Sequence, residues 1–378
     1  LGSIVLGVTD ASQVPAGFGN ISGLIGAGNL FVTGAFAPTK NVTLGTGSLT
    51  SVSAAGLVIP DGYTVDDTTW YRGTSGNANV PPVLTAPPAK SISLFGTTVT
   101  TSSGAVLDLS GGGDIYATEY VAGTGGTRNV LTTYQQNPAT AAITPTYSDG
   151  RQVYALVPSY QANVAAYDPN FADTPYYSGT AVPSGASVPY ANAISPGQSV
   201  TIAGGNGIPA GTYTLLPGMY ATLPGAYRVV QVANNVNPGA AKSFTSPDGS
   251  QYVTGTLGNS LTGAQSSQSA TFQLQSQAVW SRYSRIDITS GTTFFRNQAL
   301  AAGKAPPPLP IDGGVLVLGA IDSLNLAGKN LFGPGTSSLA PGLVGGGGQV
   351  QIGGSNILIL AGDKAVPADA CLSGSAPG

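Results

Sequence analysis

Residues 90–121 read KSISLFGTTVTTSSGAVLDLSGGGDIYATEYV, in which apolar and small polar residues alternate between two interruptions. The interruptions are the Ser/Gly-rich positions 102–104 and the triple glycine 111–113. Alternation with a period of two predicts half-buried strands, and Gly and Ser between such short runs predict turns. We therefore interpret this stretch as one strand–turn unit, and the rest of the chain as repeats of that unit with interruptions.

The composition extends this prediction to the whole chain of 378 residues. Its 55 Gly and 28 Pro exceed the roughly 12% that these residues contribute to ordinary proteins, and the excess requires many turns. Hydrophobic residues, at 42%, suffice for a core, whereas charged residues make up only 8%, against about 25% in ordinary domains. Surface helices depend on Glu, Lys and Arg, so helices are expected to be a minor component. The chain is predicted to be all-β.

The spacing of the short apolar runs predicts the coils of a parallel β-helix, a solenoid in which strands of successive coils stack on one another. A middle region rich in Tyr, Pro and Gly interrupts the pattern and is interpreted as an inserted or appended loop-rich β-domain. Four parts are expected: β-helix coils at 1–121 with a Pro-rich loop at 63–88, the β-domain at 122–277, a return to coils at 278–364 with a linker at 296–310, and a flexible tail at 365–378.

One phrase of the middle region repeats every seven residues, at Tyr213, Tyr220 and Tyr227. Such spacing is typical of a coiled coil, but a Pro-Gly pair lies in each interval and excludes a continuous helix. Pro-Gly favours type II turns, so we expect short strands joined by tight turns here.

Residue types exclude several chemistries. The chain has no histidine, which removes Ser-His-Asp and Cys-His catalysis and His-ligated zinc, and the single Cys371 can form neither an intrachain disulfide nor a structural zinc site. Carboxylates could still serve a polysaccharide lyase or hydrolase as acid/base groups or calcium ligands. However, the aspartates of the central stretch flank a glycine turn, where Asp commonly caps backbone amides. No catalytic residue, metal or cofactor is predicted; the charged groups considered are Asp108, Asp114 and Glu119, and Arg282, Arg285 and Asp287.

Tyrosine is the more promising residue type for binding. The chain has 17 Tyr, and a tyrosine can pack its ring while its hydroxyl stays in water. Two interpretations of these rings stay open: they bind a sugar or a protein, or they simply pack within loops. The candidate ligand-binding aromatics are Tyr160, Tyr167, Tyr176 and Tyr177.

Charge and hydropathy limit the partners. The net charge of −3 is spread thinly with no basic block, which argues against nucleic acid, and no apolar run is long enough for a membrane-spanning helix. Scarce cysteine combined with abundant Thr, Ser, Asn and Gly is typical of large bacterial surface proteins. An extracellular location is therefore expected, and because the pattern is already under way at Leu1, we expect an internal piece of a longer protein.

Four phrases carry a family resemblance. The sequences at 47–62, 96–126, 153–169 and 207–230, such as GIPAGTYTLLPGMYATLPGAYRVV, are similar to those of the filamentous haemagglutinin family, large exoproteins of Gram-negative bacteria. The resemblance implies a right-handed parallel β-helix shaft, exported through an outer-membrane transporter pore by two-partner secretion. It transfers no functional residue, because the matched phrases are strands and turns.

The function expected from this resemblance is that of a structural shaft segment in a secreted or cell-surface adhesin, without catalysis. Its partners would be a glycan or protein on a host-cell or biofilm surface, and its location the outside of the bacterium in association with the outer membrane. Two alternatives stay open on the residues alone: a β-helix carbohydrate-active enzyme, and a phage tail-spike-like fibre.

Overall fold

The computed structural model describes residues 2–7, 39–72, 83–136, 143–165, 197–205, 207–236 and 243–353. Strands dominate this part of the chain, so the prediction of an all-β protein is confirmed. The helical elements are α1 (Gln277–Trp280), α2 (Gly291–Ala301) and a 3-10 helix at Gly218–Thr222. None of the helices in these ranges is long and apolar enough to cross a membrane.

The strands are numbered in chain order. The first nine are β1 (Gly2–Leu6), β2 (Asn41–Leu44), β3 (Leu49–Ser51), β4 (Val58–Val65), β5 (Thr69–Tyr71), β6 (Val83–Leu84), β7 (Lys90–Thr101), β8 (Val106–Asp108) and β9 (Asp114–Tyr120). Then follow β10 (Tyr134–Gln136), β11 (Ile143–Pro145), β12 (Val153–Leu156), β13 (Gln198–Ile202), β14 (Gly211–Thr214), β15 (Leu216–Pro217), β16 (Tyr227–Val236), β17 (Phe244–Thr245), β18 (Gln251–Asn259) and β19 (Ser269–Ser276). The last are β20 (Ile286–Ser290), β21 (Val315–Leu326), β22 (Lys329–Leu331) and β23 (Gln349–Gly353).

Strands from distant parts of the chain pair in parallel and form what we call the parallel stack. β2 pairs with β7 and β3 with β8, and hydrogen bonds between these turns join residues 57 positions apart. β4 pairs with β9 in the same direction, and β21 and β22 add to β7 and β8 from the far side. Three separate stretches of the chain therefore form matching strands and turns that lie side by side.

The sheets are nevertheless mixed. β20 is antiparallel to β9, and β5 and β6 form antiparallel pairs beside β4. The segment expected as a Pro-rich loop at 63–88 therefore contains strand pairs, and its Trp70 is fully buried against Phe294 and Phe295 of α2. The right-handed parallel β-helix stays a prediction, because parallel pairing covers only part of these sheets.

The apolar positions of the alternating pattern build the interior of the stack. Ile92, Leu94 and Val99 of β7 are fully buried, and they pack with inward side chains of the neighbouring strands. Small polar residues between them point outward, so the period of two follows directly from which face of the strand meets the core.

Glycines form one corner of the stack, where backbones of successive strands meet closely; we call it the glycine corner. A Cβ on Gly111 or on Gly345 would lie 2.0 Å from the carbonyl oxygen of Ile311, and one on Gly335 2.3 Å from the carbonyl carbon of Gly111. Lys90 lies beside this corner, is almost fully buried and donates to the carbonyl oxygen of Pro310 at 2.6 Å.

The strands between β12 and β19 form an antiparallel sheet that nearly closes into a barrel. The ladder runs β14-β13-β18-β19-β16-β12-β15, with β17 added beside β18. β14 and β15 stand at its two ends and are separated in sequence only by Leu215, so one short segment borders both edges of the sheet. Inward residues fill the interior, among them Val200, Val229 and Phe272, none of which is exposed.

The seven-residue phrase lies in this barrel but differs from the expected row of strands. Tyr213 lies in β14 and Tyr227 begins β16, whereas Tyr220 lies in the 3-10 helix. The second Pro-Gly pair does form a turn, in which Gly225 has a φ of +73° and Ala226 N donates to Leu223 O at 3.1 Å.

Asp114, the first residue of β9, joins this strand to β20, α2 and the segment that follows β22. Its buried carboxylate accepts from Ser290 Oγ at 2.6 Å, from Thr292 N and Oγ1 at 3.0 Å, and from Ser337 Oγ at 2.8 Å. Ser290 also caps α2 by accepting from Thr293 N. The segment expected as a linker at 296–310 therefore begins inside a helix that this carboxylate holds in place.

Candidate functional site

The described surface of the barrel carries a cleft of about 180 Å³ that we call the aromatic cleft. Phe244 and Tyr252 supply its aromatic wall; their ring centroids are 4.6 Å apart and their planes differ by 7°. Phe244 keeps 56% of its surface exposed. The described residues that line it are Gly205, Ser243, Phe244, Thr245, Gln251, Tyr252 and Val253.

Strand register places the two rings together. Phe244 of β17 lies directly opposite Tyr252 of β18 in an antiparallel pair, so both side chains stand on the same face and can stack. The neighbouring Val253 points to the other face, into the barrel core. The stack therefore lies on the outer face of the barrel, where a ligand can reach it.

The turn between β17 and β18 is fixed by Asp248. Its carboxylate accepts from Ser246 Oγ, from Ser250 N at 3.0 Å and from Tyr283 Oη at 2.6 Å. These hydrogen bonds, those of Ser246 and Ser250 first, hold the pKa of Asp248 far below its usual range. Gly249 takes a φ of +91°, which glycine alone adopts easily. The hairpin that carries the aromatic pair is thus preorganised.

A chain of hydrogen bonds leads from Tyr252 into the protein. Gln273 Nε2 donates to the Tyr252 hydroxyl at 2.9 Å, and Arg228 Nη1 lies 3.4 Å from Gln273 Oε1 and 2.7 Å from Gln275 Oε1. Arg228 is only 1% exposed, and its Nε donates to the carbonyl oxygen of Val130 at 2.6 Å. Burial lowers the pKa of this guanidinium from its ordinary value. Tyr252 is therefore held from behind by a cation whose described acceptors are neutral.

Two more arginines join Arg228 around a single ring, and we call these three the arginine cluster. The guanidinium carbons of Arg128, Arg151 and Arg228 lie 5.9, 5.5 and 5.6 Å from the centroid of Tyr147. Cations over an aromatic face are attracted by the ring quadrupole, so the ring offsets part of their mutual repulsion. Arg151 also pairs with Asp149, whereas Arg128 donates to the carbonyl oxygen of Thr146 and is exposed.

The structure describes one of the four tyrosines predicted to bind ligand. Tyr160 is half-buried, packs against the cluster that contains Leu216 and Trp280, and donates its hydroxyl to Val164 O at 2.6 Å. Tyr167, Tyr176 and Tyr177 lie outside the described residues.

The carboxylates considered for catalysis each occupy a separate turn or junction. Asp108 accepts from Ser110 N at 3.0 Å, and both oxygens of Glu119 accept backbone amides, from Asp66 at 2.7 Å and Asp67 at 3.1 Å. Asp114 is enclosed at the start of β9, as described above. Across the described ranges, no group of three His, Cys, Asp or Glu residues is arranged to hold a metal ion.

The residues of the second charged group, Arg282, Arg285 and Asp287, also lie in two separate places. Arg285 pairs with Asp287 through two contacts of 2.9 and 2.8 Å at the surface, whereas Arg282 donates to the carbonyl oxygen of Asp248 at 3.1 Å. Only Arg282 therefore belongs to the surroundings of the aromatic cleft.

Sequence reasoning missed the pair that forms the cleft, although a signal for it exists. Phe244 and Tyr252 lie symmetrically about Pro247-Asp248-Gly249, a typical turn sequence. A hairpin centred on that turn places the two rings opposite each other. Nothing local in the sequence indicates the arginine cluster, because its members come from three separated segments.

Comparison with known proteins identifies no relative. No family model, curated protein or solved structure matches the chain.

Proposed function

We propose that this chain is a non-catalytic segment of a bacterial adhesin at the cell surface, and that its barrel binds saccharide at the aromatic cleft. The observation that carries the proposal is the pair of parallel rings, Phe244 on Tyr252, exposed beside a polar cleft of about 180 Å³. Sites for small ligands commonly combine aromatic walls with a few polar groups that set orientation.

The chemistry of the lining supports a sugar ring as ligand. A pyranose has an apolar face of C–H groups that can lie on Phe244, and a rim of hydroxyls that can exchange hydrogen bonds. Thr245 and Ser243 offer hydroxyls and Gln251 an amide, and none of the described residues that line this cleft carries a charge. The preorganised hairpin lowers the entropy cost of binding, because its rings need not be ordered by the ligand.

The remainder of the chain suits a shaft. We propose that the parallel strands are coils of a right-handed β-helix, as the resemblance to filamentous haemagglutinins implies; the shared spacing of 57 positions between β2 and β7 and between β3 and β8 supports this. Export through an outer-membrane pore and a location outside the cell are parts of the same proposal. A structure determined on a longer stretch of the protein tests it, because further coils must extend the same sheets with the same hand.

The alternatives receive less support from the described residues. Hydrolysis or elimination needs a carboxylate facing a cleft, and Asp114 and Glu119 are already occupied by hydrogen-bond donors of the protein itself. For a tail-spike-like fibre, association into trimers would be required, which sedimentation of the purified chain can decide.

The decisive experiment is a screen of immobilised oligosaccharides followed by titration calorimetry on the best ligand. Phe244→Ala is expected to weaken binding about tenfold, because one aromatic contact contributes roughly 1.4 kcal/mol. Leu261→Ala is the matched control, since Leu261 is equally exposed on the barrel but does not line the cleft. Absence of saccharide binding by the unaltered chain, or equal binding by the Phe244 variant, contradicts the proposal.

A further inference from the structure

The arginine cluster gives one face of the barrel a positive charge that the protein as a whole lacks. The complete chain has a net charge of −3, yet three guanidiniums surround Tyr147. Of the described carboxylates, Asp149 pairs with Arg151, and none forms a salt bridge with Arg128 or Arg228. The cluster therefore has an excess of positive charge at its surface, where Arg128 is exposed.

This charged region continues from the aromatic cleft. Phe244, Tyr252 and Gln273 occupy one row across β17, β18 and β19, and Arg228 of β16 reaches the same row through its hydrogen bond to Gln273. Three strand spacings of about 4.8 Å separate β17 from β16, so the strand that carries Arg228, the nearest member of the cluster by strand order, lies roughly 14 Å from Phe244. An oligosaccharide, unlike a single sugar, spans that distance.

We propose that Arg128 and Arg151 form a second subsite, which binds the carboxylate of an acidic oligosaccharide while another ring of the same molecule stacks on Phe244. The inference rests on the proposed function and assigns the class of its ligand. Arg151 binds the carboxylate of the exposed Asp149 through Nε, at 2.9 and 2.7 Å, and through Nη2, so a ligand carboxylate would bind at its Nη1 group or displace Asp149. Arg128 uses Nη1 for Thr146 and presents further N–H donors at an exposed position.

The buried member of the cluster serves a different purpose. Arg228 orients Gln273, and through it the Tyr252 hydroxyl, so it links the two subsites without touching the ligand. Tyr147 keeps the exposed guanidiniums beside this link, because its ring faces all three cations. Neutral and charged subsites are in this way parts of one rigid surface.

The test uses the full chain and three probes: a galacturonic acid trisaccharide, its methyl ester, and a trisaccharide without carboxylates that carries one sulfate group. The unaltered protein is expected to bind the acid about fivefold more tightly than the ester, the size of effect that one exposed ion pair produces. Arg128→Gln and Arg151→Gln should each reduce this ratio towards one, as should added salt. Arg285→Gln is the matched control, since Arg285 is an exposed arginine that pairs with Asp287 and is not one of the three that face Tyr147.

The outcomes separate this inference from the proposed function. An acid-to-ester ratio of one in the unaltered protein, or a ratio that survives in both arginine variants, overturns the second subsite while ester binding still supports saccharide recognition. Tighter binding of the sulfated probe overturns the assignment to carboxylate. If neither acid nor ester binds, the proposed function fails as well. Melting temperatures of the variants equal to that of the unaltered chain establish that they fold.

Discussion

The parallel stack and the barrel pair their strands in different directions and over different maximum distances along the chain. In the stack, hydrogen bonds join residues 57 positions apart between β2 and β7, and 225 apart between β7 and β21. In the barrel every strand lies between Val153 and Ser276, and all neighbours are antiparallel, with partners at most 77 positions apart, at Val153 and Val230. The stack depends on close backbone contact between remote segments, whereas the barrel depends on its own side-chain core. We therefore expect the two regions to respond separately to mutation.

The largest effect is expected in the stack, from Gly111→Ala. The new Cβ would meet the backbone of Ile311, which cannot move without shifting the coil that carries it. Overpacking against backbone places the loss in free energy of unfolding at about 4 kcal/mol or more. Chemical denaturation followed by circular dichroism measures it.

Gly333→Ala is the control for that experiment. Gly333 also lies at the glycine corner, yet a Cβ at this position would meet no atom within 4 Å. If both variants lose the same stability, close packing at the glycine corner is not what holds the stack together.

The next effect should be confined to the barrel. Phe272→Ala removes a fully buried ring from its core and should cost about 3–4 kcal/mol. Hydrogen exchange is expected to show lost protection in β16, β18 and β19, with amides of β7 unchanged. Loss of protection in β7 to the same degree would refute independent folding of the two regions.

Asp114→Asn tests the contact that holds β20 and α2 to β9. The amide keeps one acceptor oxygen where the carboxylate serves four donors from Ser290, Thr292 and Ser337, so a loss of about 2–3 kcal/mol is expected. Asp108→Asn, at a turn with fewer donors, should cost about 1 kcal/mol or less. Thermal melts of both variants measure the difference, and equal losses would contradict a special role of Asp114.

The smallest effect is expected in the pH dependence of stability, and it should be confined to the parallel stack. Burial lowers the pKa of Lys90 to about 8, and Asp312 and Asp108 oppose this only in part. Between this value and the ordinary 10.5, the unfolded chain binds more protons than the folded one, so stability rises with pH across that window. From pH 8 to 9.5 the gain should be roughly 1–2 kcal/mol. This pH window ends below the pKa of Tyr63, which is raised to about 12.

Lys90→Met should abolish that rise, whereas Lys329→Met, at an exposed position of β22, should retain it. Denaturation at several pH values, followed by a probe in the stack, measures the slope. A slope that persists in the Lys90 variant assigns the effect to other groups.

Sequence reasoning succeeded where the pattern is local. The alternation in 90–121 predicted β7, β8 and β9 and both turns between them, because burial of one strand face imposes a period of two. It failed at Trp70 and at α2. Trp70 lies among proline pairs that suggested a loop, yet its ring packs on Phe294 and Phe295, which lie more than two hundred positions later in the chain.

The same limit applies to the candidate site. The abundance of tyrosine favoured Tyr160 as a binding residue, whereas the aromatic cleft contains Phe244. The pairing of Phe244 with Tyr252 follows only from the register of the hairpin. Arg228 gave no local signal either, because its acceptors Val130, Gln273 and Gln275 come from segments that meet only when the barrel packs on its neighbours. The sequence could indicate that aromatic side chains form the site, but it could not indicate that segments distant in the chain converge there.

The pairing of β20 with β9 has a mechanical consequence. The chain departs after β9 and returns through β20 alongside it, with Tyr116 opposite Ser290, so both ends of the departing segment lie side by side. A pull along the chain through the stack would act first on the end where Asp114 binds Ser290 and Thr292. While those hydrogen bonds hold, the segment 121–285 bears no tension; once they break, the segment can add roughly 550 Å to the extended length of the chain.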